Sequence, residues 1–270
     1  MRANGLDFAC FEEGEGPLVL LLHGFPDTAH TWDVVRPRVA AAGHRVVAPF
    51  LRGYAPTQIP ADGAYDVATL GADVVALLDA LSPGEPASVV GHDWGAVAAY
   101  AAAALAPARI RRLIAVAIPH PATLRPTPAK LWGVRHFVSL NLPGAERRFA
   151  RDDFAMADEL CRRWSLTWEL PADETEPAKN AFAAPGCLRA ALGYYRSWTA
   201  RPPRFLRGRL EVPTLAFGGV DDGVADESDF RHASRAFASR YDVVMTPGGH
   251  FLHREAPDAF VEHLLRFLAS

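Results

Sequence analysis

The chain has 270 residues, half of them apolar, and it carries a formal net charge of -3. This length suits one compact domain, or a core that is interrupted by an inserted segment. Because the charge is close to neutral, the composition gives no electrostatic footprint for nucleic acid or for an anionic membrane surface. We therefore expect neither as a partner.

Cysteine usage and sequence motifs indicate the cellular compartment and whether a metal site is expected. Cys10, Cys161 and Cys187 lie far apart, and so sparse an odd set argues against a disulfide framework and for a reducing compartment. The sequence has no Cys-x-x-Cys or His-Glu-x-x-His, so we expect no metal site. No run reaches the roughly 18 apolar residues of a membrane span, and no signal-like core is present, so we expect a cytoplasmic protein. The sequence leaves monomer and homodimer both open.

Short apolar strands alternate with helical runs over the first 119 residues. Residues 66–84 repeat apolar side chains at helical spacing, and an alanine-rich run over residues 96–107 is closed by Pro107. Apolar strands that alternate with helices indicate a parallel sheet covered on both faces. The other elements predicted in this part are the strands 17–24, 44–50, 87–94 and 111–119 and the helix 31–43.

The pattern changes between His120 and about Gly208. Prolines cluster there, tryptophans appear, and the apolar period is helical without strands between. We therefore predict an α/β core of residues 1–119 and 209–270, interrupted by a helical lid of residues 120–208. The elements predicted after the lid are the strands 212–219 and 241–247 and the helices 227–240 and 256–270.

Four glycine-rich motifs lie at the ends of predicted strands, where ligands bind in an open parallel sheet. The motifs are HGFP (23–26), GHDWG (91–95), GGVDDG (218–223) and GGHFLHRE (248–255). Together and in this order they resemble the α/β-hydrolase superfamily, in its branch with an aspartate nucleophile, over nearly the whole chain. The resemblance implies an α/β-hydrolase fold, with a mostly parallel sheet flanked by helices and a helical lid inserted after the sixth strand.

Asp93 occupies the point of GHDWG where many related hydrolases present a serine. Gly91 and Gly95 flank it, and small residues let a strained strand-to-helix bend close. The helix N-terminus favours an anion there. A carboxylate is poor at attacking a carbonyl, but it suits attack on a saturated carbon that carries a leaving group. We therefore predict a covalent alkyl–enzyme ester on Asp93.

Water must then cleave the ester, which needs a general base and an oxyanion hole. His250 is the candidate base, and an aspartate after the preceding strand would orient its ring. The family pattern Gly-x-x-Asp fits Asp222 best, and Asp221 is the alternative. The backbone N–H groups of Phe25 and Trp94 are the candidate oxyanion donors.

The lid should identify the leaving group, because each kind of leaving atom needs its own hydrogen-bond or proton donors. The segment ALGYYRSW (191–198) resembles the lid helix of epoxide hydrolases, in which the tyrosine before Arg is a proton donor. This implies that role for Tyr195, with Tyr194 as a packing or substrate-contacting neighbour. The place of the family's first lid tyrosine, seven residues before Pro143, holds His136. A bacterial branch of epoxide hydrolases uses such a His/Tyr pair, and an imidazole N–H can substitute for a phenol.

Haloalkane and haloacetate dehalogenases are the next nearest families. Haloacetate dehalogenases follow the nucleophile with Arg and have a second Arg three residues on, whereas this chain has Trp94 and Val97. They also have Trp after the lid histidine, where this chain has Phe137. Haloalkane dehalogenases usually have Asn at the position of Phe25. We expect Trp94, Phe137 and Tyr194 to contact the substrate.

The resemblance therefore implies hydrolysis of a small apolar epoxide to a vicinal diol, with water as the second reactant and no metal or organic cofactor. Dehalogenation of a halogenated substrate, either a haloalkane or a haloacid, by the same Asp-His-Asp triad is the alternative. A third hypothesis, from another class, is a non-catalytic α/β-hydrolase that serves as a ligand receptor. An intact nucleophile, base and acid argue against the third.

Overall fold

The protein is described by a computed structural model that covers residues 1–125, 127–199 and 201–270, apart from the side chain of residue 129. The strands are β1 (Arg2–Ala3), β2 (Leu6–Asp7), β3 (Cys10–Glu13), β4 (Leu18–Leu22), β5 (Arg45–Pro49), β6 (Ala87–His92), β7 (Ile110–Val116), β8 (Thr214–Gly219) and β9 (Tyr241–Thr246). The α-helices are α1 (Arg36–Ala41), α2 (Val67–Leu81), α3 (Trp94–Leu105), α4 (Pro128–Gly133), α5 (His136–Asn141), α6 (Ala145–Phe149), α7 (Ala155–Trp164), α8 (Glu176–Ala183), α9 (Cys187–Ser197), α10 (Glu227–Ala233), α11 (Leu252–Glu255) and α12 (Pro257–Ala269).

Within the described residues, seven strands form the central sheet in the order β3-β5-β4-β6-β7-β8-β9. Strand β3 runs antiparallel to β5, and the other neighbouring pairs are parallel. Strands β4, β6 and β8 are buried along their whole length, as expected for parallel strands covered on both faces. The predicted α/β fold with a mostly parallel sheet is confirmed.

The register of the sheet brings the predicted motifs to one edge. Strands β6 and β7 end opposite each other at His92 and Val116. Strands β8 and β9 end opposite each other at Gly219 and Thr246. Because these four strands are parallel, the loops that follow them leave from the same edge of the sheet, and three of the four motifs lie in or beside such loops.

The segment between β7 and β8 is helical, with helices α4 to α9 and the 3-10 turns Pro121–Thr123 and Arg204–Arg207. We call residues 120–208 the insertion; these limits stay a prediction. In the unbroken described range 1–125, β7 is the fifth strand of the central sheet in chain order. The insertion therefore follows a fifth strand of the sheet rather than a sixth, because β1 and β2 pair with each other in a separate sheet.

Two predicted helices are divided in the structure. The predicted helix 31–43 divides into a 3-10 turn, Ala29–Trp32, and helix α1. Helix α1 begins one residue before Pro37, because the fixed φ of proline suits the first turn of a helix. The predicted helix 227–240 ends as α10 at Ala233 and continues as a 3-10 turn.

The alanine-rich helix α3 packs closely against α2. A Cβ added at Gly71 of α2 would lie 2.7 Å from the Cβ of Ala101, so small residues on both helices set this spacing. Residues 96–103 of α3 are buried throughout.

Among the described residues, no helix is long and apolar enough to cross a membrane.

The substitution Ala101→Leu should destabilise the fold by overpacking this contact. We expect the free energy of unfolding to fall by about 1–3 kcal/mol, because the two helices leave no room for three more carbon atoms. Urea unfolding measures the change. The matched control is Ala41→Leu at the exposed end of α1, which should change stability by less than about 0.5 kcal/mol. Equal stability of the two variants would contradict this packing.

Candidate active site

Asp93 lies at the bend where β6 becomes α3. Its backbone has φ 49° and ψ -117°, a conformation that is rare and strained for a residue other than glycine. The bend closes because its neighbours are small. A Cβ added at Gly91 would lie 2.2 Å from the carbonyl oxygen of Gly95, and one added at Gly95 would lie 2.3 Å from that of Leu22. Asp93 is thus placed at the carboxyl edge of the sheet.

The Asp93 carboxylate contacts a backbone amide and an imidazole. Its Oδ1 accepts a hydrogen bond from the Phe25 N–H at 2.9 Å, and its Oδ2 lies 3.6 Å from Nε2 of His250. Burial acts to raise the pKa of Asp93. The nearby His250 ring, with smaller contributions from His92 and Phe25, outweighs burial and lowers that pKa below its ordinary value. The carboxylate is therefore ionised at neutral pH.

The His250 ring lies between two carboxylates. Its Nδ1 is 3.0 Å from Oδ2 of Asp222, whose side chain is completely buried. The other oxygen of Asp222 accepts the N–H of Val224 at 2.7 Å. Asp221 instead accepts a hydrogen bond from a hydroxyl group of the insertion at 3.1 Å. Of the two aspartates that the sequence left open, Asp222 is the one in contact with His250.

These contacts set the charge of His250. Burial acts to lower the pKa of His250, but the charge and hydrogen bond of Asp222, together with the nearby Asp93 carboxylate, raise it to about 10. The resting site therefore holds an imidazolium at neutral pH. Loss of the negative charge on either carboxylate would lower that pKa and favour the neutral ring.

Asp93 and His250 both line a cavity of about 370 Å³. Its walls are mainly apolar and aromatic side chains of the core and the insertion, among them Trp94 and Phe137, which suits a small apolar ligand. The ring centroids of Trp94 and Phe137 are 6.2 Å apart. Trp94 is also the first residue of α3, where the backbone N–H has no partner within the helix and can bind an oxyanion.

The two predicted proton donors come together beside this cavity. The ring centroids of His136 and Tyr195 are 5.5 Å apart, and both residues are buried. His136 lies on the cavity wall, and Tyr195 lies next to it, 5.2 Å from the ring of Trp94. The Tyr195 hydroxyl and Nδ1 of His136 have no hydrogen-bond partner among the described residues. Buried polar atoms without partners are costly, and a bound substrate would satisfy them.

Both groups are hydrogen-bond donors at neutral pH. Burial lowers the pKa of His136 to about 3, so its ring is neutral and carries one N–H. Burial, reinforced by the charge of Asp93, raises the pKa of Tyr195 well above its ordinary value. Tyr195 therefore keeps its proton in the resting site.

Tyr194, which the sequence offers as a packing or substrate-contacting residue, packs against the core and is not among the residues that line the cavity. Its hydroxyl donates a hydrogen bond to the carbonyl oxygen of Arg52 at 2.8 Å, and its ring stacks on Tyr65 with centroids 5.6 Å apart. Successive residues of a helix point about 100° apart. Tyr194 therefore packs α9 onto the core, while Tyr195 is placed beside the cavity.

Trp164 lines the site, although the sequence indicated it only as one of several aromatic residues of the insertion. Its ring lines the cavity, with its centroid 5.3 Å from that of His250 and 4.6 Å from that of His136. Its Nε1–H is buried and has no partner among the described residues. The only signal in the sequence is its aromatic character, which other tryptophans of the insertion share.

The substitution His250→Gln should change how stability depends on pH. The pKa of His250 in the folded protein, about 10, is above its ordinary value of 6.5. The imidazolium therefore contributes its full stability below about pH 6.5, and this contribution is lost as the pH rises through about 10. We expect the stability advantage of wild type over His250→Gln to shrink across that range in urea unfolding. A difference that does not vary with pH would contradict the assigned charge state.

Comparison with known proteins places the chain in a family. The α/β-hydrolase fold family matches residues 17–257. An AB hydrolase superfamily protein from Bacillus subtilis is 28% identical over 100% of this chain and 97% of that protein. Epoxide hydrolase A from Mycobacterium tuberculosis is 30% identical over 99% of this chain and 95% of that protein.

A solved structure shares the same fold. The crystal structure of Bacillus megaterium epoxide hydrolase in complex with an inhibitor superposes with a TM-score of 0.87 and covers 100% of this chain and 99% of that one. At 22% identity, this likeness concerns the fold alone. Taken with the match over residues 17–257, these similarities show that the chain is a hydrolase of the α/β-hydrolase family, with epoxide hydrolases among its relatives.

Proposed function

We propose that this protein hydrolyses an epoxide to a vicinal diol through a covalent ester on Asp93. One observation carries the proposal: Asp93 and His250 meet at 3.6 Å on the wall of an apolar cavity, with Asp222 at 3.0 Å behind the His250 ring. A carboxylate nucleophile beside an oriented imidazole suits ester formation followed by ester hydrolysis. The relatives named epoxide hydrolases support an epoxide as the substrate.

In the first step, Oδ2 of Asp93 attacks a ring carbon of the epoxide, and the bond from that carbon to the ring oxygen breaks. The Phe25 N–H already holds Oδ1, which becomes the carbonyl oxygen of the ester. Tyr195 gives its proton to the released alkoxide, and His136 donates a hydrogen bond to the same oxygen. The products of this step are an ester and a tyrosinate.

Formation of the ester removes the negative charge of Asp93. That charge helps to raise the pKa of both His250 and Tyr195 in the resting protein, so both pKa values fall when it is lost. The His250 imidazolium then releases its proton, and a proton returns to Tyr195. Alkylation of the nucleophile thus turns His250 from a cation into a base.

In the second step, neutral His250 takes a proton from the water that attacks Cγ of Asp93. The oxyanion forms on the oxygen that faces the N–H groups of Phe25 and Trp94. Asp222 stabilises the new imidazolium. Collapse of the intermediate expels the diol oxygen, which takes a proton from His250, and the freed carboxylic acid ionises to restore the resting site.

Dehalogenation is a second candidate because of Trp164. Its buried, unpartnered indole N–H belongs to a residue on the cavity wall, where Trp94 also lies. Indole N–H groups are suitable donors for a leaving halide. The ester on Asp93 would form and break as above, but a halide leaves without a proton. Tyr195 would then be dispensable.

The substitutions Asp93→Ala and His250→Gln should separate the two steps. With an excess of a small aryl epoxide, Asp93→Ala should give neither a covalent adduct nor diol, because the nucleophile is missing. His250→Gln should accumulate the ester, with cleavage slowed by about 10²–10⁴-fold because the general base is lost. Intact-protein mass spectrometry detects the adduct. A normal diol yield from Asp93→Ala would rule out the proposal.

The substitution Tyr195→Phe should distinguish an epoxide from a halide substrate. We expect ester formation from an epoxide to slow by about 10²–10⁴-fold, because the alkoxide loses its proton donor. The matched control is Tyr194→Phe, which loses a hydroxyl bound to a carbonyl of the core and should form the ester at the wild-type rate. Diol formation and halide release are measured on the same sample. Halide release from haloalkanes by both variants, with epoxides inert in wild type, would favour the dehalogenase.

A further inference from the structure

The end of helix α7 lies between the two loops that carry Asp222 and His250. The carbonyl oxygen of Trp164 accepts the N–H of Gly223 at 2.9 Å and the N–H of His250 at 3.2 Å. The next residue, Ser165, forms an isolated β-bridge with Asp222. The insertion therefore hydrogen-bonds to both loops at the point where the Asp222–His250 contact forms.

The Glu255 carboxylate binds backbone N–H groups of the loop that carries His250. Its Oε2 accepts the N–H of Gly249 at 2.9 Å, and its Oε1 accepts the N–H of Phe251 at 3.1 Å. One carboxylate thus takes the amides on both sides of His250. The Ser165 hydroxyl donates to the same Oε1 at 2.5 Å, and it also accepts the Phe251 N–H at 3.2 Å. We call the side chains of Ser165 and Glu255 the clasp.

The clasp fits the loop closely. Ser165 is buried, and a Cβ added at Gly249 would lie 2.4 Å from its Cα. Hydrogen bonds from backbone amides to an ionised carboxylate are stronger than those between neutral groups. The loop therefore has little room to shift while the clasp is intact.

We propose that the clasp is a positioning device that keeps the His250 ring between Asp93 and Asp222 for the water-driven step. This inference rests on the proposed function for the step that it names. Ser165 and Glu255 act through the backbone on either side of His250 rather than on the reacting atoms. Because Ser165 belongs to the insertion, the segment that walls the cavity also orients the base.

Besides its 3.6 Å contact with His250, Asp93 has two contacts that lie outside the clasp. The backbone N–H of Asp93 donates to the carbonyl oxygen of Val116 at 3.3 Å, and the Asp93 carboxylate accepts the Phe25 N–H. Neither contact involves the clasp. A loosened clasp should therefore slow cleavage of the ester while its formation stays near the wild-type rate.

The substitution Glu255→Gln tests this separation. Glutamine keeps the length of the side chain but replaces one oxygen with an NH₂ group. That group is a donor and cannot accept the backbone N–H that faces it. We expect ester cleavage in a single turnover to slow about tenfold or more, with ester formation unchanged. The matched control is Glu262→Gln on α12, where the glutamate is exposed and pairs with Arg266. It should match wild type in both steps.

A titration of the His250 ring by NMR gives a second readout that needs no substrate. In Glu255→Gln the pKa of His250 should fall below the wild-type value, because the ring loses its fixed contact with Asp222. If wild type forms no ester from any epoxide, the proposed function fails and the titration alone decides the role of the clasp. Wild-type ester cleavage together with a wild-type titration in Glu255→Gln would overturn the inference.

The substitution Ser165→Ala covers the case in which Glu255→Gln does not fold, which thermal melting would reveal. It keeps both backbone bonds to Glu255 and removes only the hydroxyl. We expect ester cleavage to slow by about threefold, because one hydrogen bond is lost and the Phe251 N–H keeps its other acceptor. If Glu255→Gln does not fold, wild-type ester cleavage and a wild-type His250 titration in Ser165→Ala would refute the positioning role.

Discussion

The site depends on one buried arrangement of charges, an imidazolium between two carboxylates at the carboxyl edge of a parallel sheet. Burial opposes the charge on both Asp93 and His250. Asp222, at 3.0 Å, does most to raise the pKa of His250 and Asp93, at 3.6 Å, adds to it, while His250 lowers the pKa of Asp93. Parallel strands deliver both groups to the same edge, and a strained bend places Asp93 on the cavity wall. In the proposed mechanism, alkylation of Asp93 removes one negative charge and so lowers the pKa of both His250 and Tyr195.

The insertion contributes more than a cover over this site. It supplies His136 and Tyr195 beside the cavity and Trp164 on its wall. Through the Trp164 carbonyl and the clasp it also hydrogen-bonds to the loop of His250. The core alone holds Asp93, the proposed nucleophile, whereas the alignment of His250 with Asp222 depends on core and insertion together. A change in the insertion that reshapes the cavity would therefore also alter the position of His250.

Much of the fold was predictable because its signals are local. Continuous apolar runs marked the buried strands, and the spacing in GGVDDG favoured Asp222 over Asp221 as the partner of His250. Other features depend on contacts between distant segments. Ser165 and Glu255 are 90 residues apart in the chain, and no periodicity links them. Tyr194 and Tyr195 are neighbours in sequence, and only the orientation of α9 separates packing from the site.

The central claim is that Asp93 itself makes and loses a bond to the substrate. Its most direct test is a single turnover in heavy-oxygen water, with enzyme in excess over the epoxide, followed by mass spectrometry of the peptide that contains Asp93. The account predicts heavy oxygen in that carboxylate and an unlabelled oxygen, taken from Asp93, in the first diol. A diol that carries oxygen directly from the solvent, with Asp93 unlabelled, would contradict it.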